Sequence, residues 1–222
     1  LNTIIVTVGS TTLSLAVTIL FAWPLARKEL NGKPIMYVIM IFTMVFQAGM
    51  VPEYLNMQKL KLLDTLWVLI LPGTFSAFNC VIMMNFFRGL PYELVEAAMV
   101  DGGTEPYILT KLVIPLSKPV VASITLFLAV GAWNTYFGAQ VYIRDRNLWP
   151  IALTLKEILI SASTQLLEAA SDPAALEAAK STIESKNIQY ASVVISTLPI
   201  MCLYPYLQKH FAKGVLVGSV KG

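Results

Sequence analysis

The sequence predicts an all-α membrane protein, and three properties of its 222 residues lead to that fold class. Charged residues make up 13% of the chain, against roughly 25% in an average soluble domain. The mean hydropathy is +0.68. Five blocks of 19 to 26 residues contain no Asp, Glu, Lys or Arg: residues 1–26, 34–52, 65–87, 119–143 and 187–208. Because about 20 apolar residues cross the hydrocarbon core of a bilayer, we expect five membrane-spanning helices.

The Lys and Arg residues around these blocks predict the orientation, because short cytoplasmic loops carry an excess of both. One side carries nine of them: Arg27, Lys28, Lys33, Arg88, Lys111, Lys118, Lys209, Lys213 and Lys221. The other side carries seven, five of them in one long loop that the rule discounts: Lys59, Lys61, Arg144, Arg146, Lys156, Lys180 and Lys186. We therefore place the first side in the cytoplasm. Leu1 then lies outside, and we expect one further span before it, which makes six in the full chain.

Two segments on the predicted outer side have the pattern of helices. Residues 53–64 are expected to form a short interfacial helix. In the outer loop, residues 144–186, apolar residues recur at helical spacing from Ile151 to Leu166. Asp172 followed by Pro173 is typical of a helix N-terminus. The helices of this loop would form either a docking surface or a lid on the lipid headgroups.

The cytoplasmic segment, residues 88–118, begins with a predicted helix. Pro91 suits a helix start, and residues 92–100 can be helical up to Gly102 and Gly103, which supply a left-handed stop.

A second short helix is expected directly afterwards. Thr104 can cap it, Pro106 lies in its first turn, and Pro115 is expected to end it. On the first helix, Ala97 and Ala98 leave a flat face to which another backbone can come close. This segment is therefore either a docking element or a surface helix that only connects two spans.

The motif Glu96-Ala97-Ala98, three residues, Gly102, nine residues and then Leu112-Val113-Ile114-Pro115 resembles the EAA loop of binding-protein-dependent ABC importer permeases. That family's pattern is E-A-A, three residues, G, nine residues and I-x-L-P, so two positions differ conservatively. The tail, residues 209–222, is similar to the ending of maltose-type sugar permeases. The long outer loop is similar to that of the branch that handles oligosaccharides.

The resemblance implies one domain over residues 1–222, a type I ABC importer transmembrane domain in the bacterial plasma membrane. It implies four kinds of partner: a second permease, two ABC ATPase subunits, an extracytoplasmic solute-binding protein and the lipid membrane. The motif helix would be the coupling helix that seats in the ATPase. The resemblance assigns coupling to Glu96, Ala97, Ala98, Asp101, Gly102 and Pro115. It also assigns Gly218, Ser219 and Lys221 of the tail to the ATPase interface.

We expect that this chain is not itself an enzyme. It contains no GxxxxGK[ST] phosphate loop, so ATP and magnesium would be bound by the partner ATPase and no cofactor by this chain. His210 is the only histidine, and we predict neither a metal site nor a catalytic residue. A net charge of +3 without a basic aromatic cluster gives no indication of nucleic acid.

Uncharged polar residues in the spans are candidates for the substrate path. Asn79, Asn134, Tyr136 and Gln140 suit sugar hydroxyls and ring faces, although such residues also bond neighbouring helices or form the interfacial belt. The sequence therefore predicts the permease subunit of an ATP-driven carbohydrate importer. The alternatives are a permease for an amino acid, peptide or polyamine, and an ATP-independent carrier.

Overall fold

The computed structural model describes residues 1–171, 190, 193–194, 197–199 and 201–202. Within these residues the chain is helical and has no β-strand, which confirms the all-α fold class there. The α-helices of residues 1–171 are α1 (Asn2–Ala26), α2 (Lys33–Val45), α3 (Met50–Lys59), α4 (Trp67–Ile70), α5 (Ala77–Arg88), α6 (Tyr92–Val100), α7 (Glu105–Ile108), α8 (Ile114–Leu116), α9 (Lys118–Trp133), α10 (Phe137–Tyr142) and α11 (Ile151–Ser171). A π-helical turn, Leu109–Val113, joins α7 to α8, and a 3-10 turn, Arg146–Leu148, precedes α11.

Helix α1 lies at the centre of the bundle, where it packs along α5 and α9. Its buried positions include small polar residues: Thr3, Thr11, Ser14 and Thr18. Its exposed positions include large apolar residues: Ile4, Val8, Leu20 and Phe21. This distribution reverses that of an amphipathic helix in a soluble protein. It is typical of a membrane helix, whose small residues let neighbouring backbones approach.

The expectation that residues 34–52 form one spanning helix is wrong. Helix α2 ends at Val45, α3 begins at Met50, and the two are inclined by 110°. Gly49 lies between them with φ +82°, a conformation that glycine adopts without steric cost. The outer helix expected over residues 53–64 is accordingly α3, which begins earlier and ends at Lys59.

Residues 65–87 and 119–143 are also divided. Pro72 and Gly73 lie between α4 and α5, and the chain breaks again between α9 and α10. Proline removes a backbone donor and glycine weakens a helix, so the first break follows from the sequence. In the described residues, α1 alone is long and apolar enough to cross a membrane, and up to three spans result if each bent pair counts as one. The fifth block, 187–208, lies largely outside the described residues, so the count of five stays a prediction.

Each end of the bundle brings together segments that the charge pattern assigns to the same side of the membrane. At one end, Asn2 Nδ2 donates to Asn147 O at 2.6 Å, and Ile151 N donates to the Thr3 hydroxyl at 2.8 Å. At the other end, the C-terminal turn of α1 meets the segment that follows α6. The pattern from Ile151 is confirmed as a helix, α11, whereas the helix expected after Asp172 lies outside the described residues.

Candidate functional site

Helix α6 carries the Glu-Ala-Ala motif and exposes its first two residues, Glu96 and Ala97. The expected helix over residues 92–100 is confirmed, and Pro91 occupies the position before it. Val95 is buried in the core, and Ala98 packs against it. Glu96 and Ala97 are exposed. One face of α6 therefore packs against the bundle, and the other face exposes the carboxylate of Glu96 and the methyl group of Ala97.

Two glycines end α6 in a defined turn, as predicted. Gly102 has φ +82°, and its N–H donates to Met99 O at 2.9 Å. The N–H of Gly103 donates to Ala98 O, also at 2.9 Å. This pair of bonds is the Schellman arrangement. A Cβ on Gly103 would lie 2.6 Å from Ala98 O, so the corner has no room for another side chain.

The second helix begins after Thr104 with Pro106 in its first turn, as expected, but two details differ. Thr104 occupies the cap position of α7, but its side chain makes no capping hydrogen bond. Pro115 is not the last residue of the helix, since α8 follows a π-helical turn and ends one residue later, at Leu116. In the wider π-helical turn, Ile114 N donates to Leu109 O, five residues back. The change of direction comes after α8, where the axis bends by 84° into α9.

Glu105, at the start of α7, ties this segment to α1. Its Oε2 accepts a hydrogen bond from Trp23 Nε1 at 2.9 Å, and its Oε1 lies 3.1 Å from Arg27 Nη2. The Arg27 side chain is only 12% exposed, and the same nitrogen lies 3.7 Å from Met99 Sδ on α6. The end of α1 is thus bound to both elements of the motif segment.

A second contact joins the α1–α2 loop to α6. The Tyr92 hydroxyl donates to Glu29 Oε1, and Glu29 Oε2 lies 3.4 Å from Arg27 Nε. The hydrogen bond from Tyr92 lowers the pKa of the Glu29 carboxyl from its ordinary 4.5. The same bond raises the pKa of Tyr92 from its ordinary 10.0. The charged glutamate and the neutral phenol therefore stabilise each other.

These contacts were not predicted from the sequence. The charge pattern places Arg27 and residues 88–118 on one side of the membrane, which makes their meeting possible. No spacing rule, however, pairs Trp23 with Glu105 or Tyr92 with Glu29, because these partners are 82 and 63 residues apart.

The exposed surface beside the motif is a shallow groove. A cavity of about 540 Å³ is lined by residues of the corner and of the next helix, among them Asp101, Gly102, Tyr107 and Lys111. Val100 is 87% exposed and Tyr107 57% exposed. Exposed apolar side chains beside carboxylates on a rigid support are suited to binding another protein.

The four candidates for the substrate path are only partly brought together. Lys156 of α11 donates to Gln140 Oε1 at 2.7 Å and lies 4.5 Å from the ring centre of Tyr136. Asn134 Nδ2 donates to Val130 O within α9, and Asn79 is buried in the first turn of α5. The tail residues Gly218, Ser219 and Lys221 lie outside the described residues.

Residues 30–217 of the chain match the family model described as "Binding-protein-dependent transport system inner membrane component". The chain is 43% identical to Protein LplC of Bacillus subtilis over 219 residues, 99% of this chain and 72% of LplC. It is 41% identical to the polygalacturonan/rhamnogalacturonan transport system permease protein YtcP of the same organism, over 100% of this chain and 76% of YtcP.

A solved structure is similar over nearly the same range. It is the crystal structure of a bacterial ABC transporter involved in the import of the acidic polysaccharide alginate. The TM-score is 0.83 at 33% sequence identity, over 95% of this chain and 73% of that chain.

Proposed function

The chain belongs to the family of binding-protein-dependent transport system inner membrane components, and from that premise we propose that it is the permease subunit of an ATP-driven oligosaccharide importer. The family match confirms the resemblance seen in the EAA motif. In this proposal the chain crosses the bacterial plasma membrane several times together with a second permease. Two ATPase subunits bind on the cytoplasmic side, and a solute-binding protein delivers the substrate from outside.

The observation that carries the proposal is the arrangement of α6. Glu96 and Ala97 are exposed, while Val95 and Ala98 pack into the bundle. The contacts of Glu105 with Trp23 and Arg27 then join this segment to α1. A displacement of α6 by an ATPase would therefore reach a central helix directly. This connection suits a coupling helix better than a loop that only joins two spans.

An oligosaccharide is proposed as the substrate because of the transporters to which the chain is similar. YtcP is named for polygalacturonan and rhamnogalacturonan, and the similar solved structure for alginate. Tyr136 and Gln140 supply an aromatic face and an amide, groups that suit sugar rings and hydroxyls. Lys156 lies between them and supplies a cation, which would suit an acidic sugar.

The proposal is tested by purifying the tagged full-length chain in a mild detergent and identifying the proteins that accompany it by mass spectrometry. We expect a second permease and an ATPase with a phosphate loop. The purified complex is then placed in liposomes with the candidate binding proteins encoded nearby. We expect uptake of a labelled oligosaccharide only with internal ATP and one of these binding proteins.

The control replaces ATP by a non-hydrolysable analogue, which should abolish uptake. Transport by this chain alone, down a gradient and without ATP, would show instead that it is an ATP-independent carrier. ATP-dependent uptake of an amino acid or peptide, with none of the oligosaccharides, would retain the importer and overturn the substrate class.

A further inference from the structure

A cavity of about 400 Å³ lies where the end of α1, the start of α2, the end of α5 and the start of α6 meet. Four cationic residues line it: Arg27, Lys28, Lys33 and Arg88. Trp23 and Tyr92 supply aromatic walls. Among the described residues, no carboxylate lines this cavity. No residue that lines the groove beside the motif also lines this cavity, so the cavity is a separate feature.

Two of the cations bind backbone carbonyls rather than carboxylates. Lys33 Nζ donates to Arg27 O at 2.5 Å, and Arg88 Nη2 donates to Leu25 O at 3.2 Å. Lys28 Nζ lies 5.0 Å from the ring centre of Tyr92. Carbonyls at the end of a helix carry only partial negative charge, so these hydrogen bonds do not neutralise the cations. Glu29 acts on Lys33 from beyond ion-pair distance, and none of the three cations has an ion pair in the described part of the chain.

Arg27, which also lines the cavity, has a hydrogen-bond donor without an acceptor. Its Nε and Nη2 face Glu29 and Glu105, which together account for its charge. Its Nη1 is buried and has no hydrogen-bond acceptor in the described part of the chain. A buried donor without an acceptor is costly, and the cavity beside it is large enough to hold one.

We propose that this cavity binds a phosphate group. Phosphate oxygens accept hydrogen bonds from several guanidinium and ammonium groups at once, and one phosphate would supply both the missing acceptor and the missing negative charge. An acidic phospholipid and free inorganic phosphate share this chemistry. The position at the ends of α1 and α5, between an indole and a phenol, corresponds to the headgroup level of a membrane. This inference is independent of the proposed import function.

The experiment titrates the detergent-purified complex of the full-length chain with three probes in a calorimeter. The probes are short-chain phosphatidylglycerol, short-chain phosphatidylcholine and inorganic phosphate. We expect phosphatidylglycerol to bind more tightly than phosphatidylcholine, since the latter carries a compensating cation. The double variant Lys33→Gln/Arg88→Gln should weaken binding about tenfold or more, because each cation near a membrane surface contributes substantially.

Lys28→Gln keeps the test informative if the double variant unfolds, since Lys28 contacts an aromatic ring rather than a backbone acceptor. It should weaken binding about fivefold. Lys118→Gln is the matched control, because Lys118 is exposed on the same predicted side and lines neither this cavity nor the groove beside the motif; this variant should bind as the wild type does.

The outcomes also separate the two sources of phosphate. Binding of phosphatidylglycerol without inorganic phosphate supports the site with a lipid as its ligand. Binding of both, with the same sensitivity to Lys28→Gln, supports the site with free phosphate as a ligand. Equal binding of the two lipids, or binding that Lys28→Gln and the double variant leave unchanged, would overturn the proposal.

Discussion

Trp23 Nε1 of α1 donates a 2.9 Å hydrogen bond to Oε2 of Glu105, which opens the helix after the EAA corner. The other oxygen of this carboxylate lies 3.1 Å from Arg27 Nη2. One side chain therefore fixes the segment after the corner to two residues of the last turns of α1. The segment that directly follows the exposed motif is therefore connected to the central helix of the bundle.

Replacing Glu105 by Gln should weaken this connection while the protein stays folded. The amide can still accept from Trp23, but it leaves the largely buried Arg27 with Glu29 as its remaining carboxylate contact. Because Glu105 is itself half exposed, we expect a loss of about 1–2 kcal/mol, or roughly 2–6 °C in the unfolding temperature. Thermal unfolding of the purified chain measures it. In the proposed importer, ATP hydrolysis should also become less dependent on the binding protein, because the motif segment is joined to α1 less firmly.

Glu93→Gln is the matched control, because Glu93 is an exposed carboxylate of α6. Its unfolding temperature should stay at the wild-type value. If Glu93→Gln and Glu105→Gln shift the unfolding temperature equally, the contact with Arg27 has no special role.

Gly103→Ala should destabilise the corner more than Gly102→Ala does. The added Cβ would lie 2.6 Å from the backbone oxygen of Ala98, which cannot move without breaking the turn, so we expect a cost of about 2–3 kcal/mol. Gly102 has open space around it, and alanine there costs only its left-handed conformation, about 1 kcal/mol.

Gly131→Ala supplies the reference, since no atom lies within 4 Å of the added Cβ. Because Gly131 lies inside α9, alanine there should leave stability unchanged or raise it by up to about 1 kcal/mol. Urea or thermal unfolding gives the order of the three variants. A Gly103→Ala protein as stable as the Gly131→Ala protein would contradict the packing of this corner.

Glu96→Lys should abolish uptake while leaving the protein folded. Glu96 is exposed, so a charge reversal there disturbs no buried contact, but it would place a cation where the proposed ATPase contact needs an anion. We expect at least a tenfold loss of uptake and of ATPase co-purification. The control is Glu93→Lys, one turn earlier on the same helix, which should retain most uptake. Normal uptake by Glu96→Lys would remove this residue from the mechanism.

The sequence predicts the motif segment better than it predicts the spans. The limits of α6 and the left-handed Gly102 follow from Pro91 and the glycine pair, which are local signals. The breaks in the blocks 34–52 and 65–87 follow from Gly49, Pro72 and Gly73, but hydropathy averaged over a block does not register one residue. Absence of charge shows that a segment can lie in a membrane, and it does not show that the segment is one helix.

Contacts between distant segments could not be predicted in the same way. The bond between Trp23 and Glu105 depends on how α1 packs against the segment after α6, and neither residue belongs to the motif. Pro115 is a case in which a local sequence rule misplaces the end of a helix. A proline normally ends a helix, but α8 continues one residue past Pro115, after a π-helical turn that no local pattern in the sequence predicts.

Tyr92→Phe should remove a hydrogen bond whose contribution to stability decreases at both low and high pH. It deletes the hydroxyl that donates to Glu29 and keeps the ring that faces Lys28. Because the pKa of Glu29 is lowered in the folded protein, its contribution is present above the ordinary 4.5 and is lost as the pH falls through the lowered value. Because the pKa of Tyr92 is raised, its contribution is present below the ordinary 10.0 and is lost as the pH rises through the raised value.

Unfolding temperatures of the wild type and of Tyr92→Phe, measured from about pH 3 to 11, test this relationship. The wild type should be the more stable at neutral pH, and the difference should shrink toward both ends of the range. Glu29→Gln is the control for the acid side, since it removes the titrating group and should flatten that limb. A difference that stays constant at every pH would mean that the two side chains are not hydrogen-bonded in solution, because packing of a ring against Lys28 has no acid limb near the pKa of a glutamate.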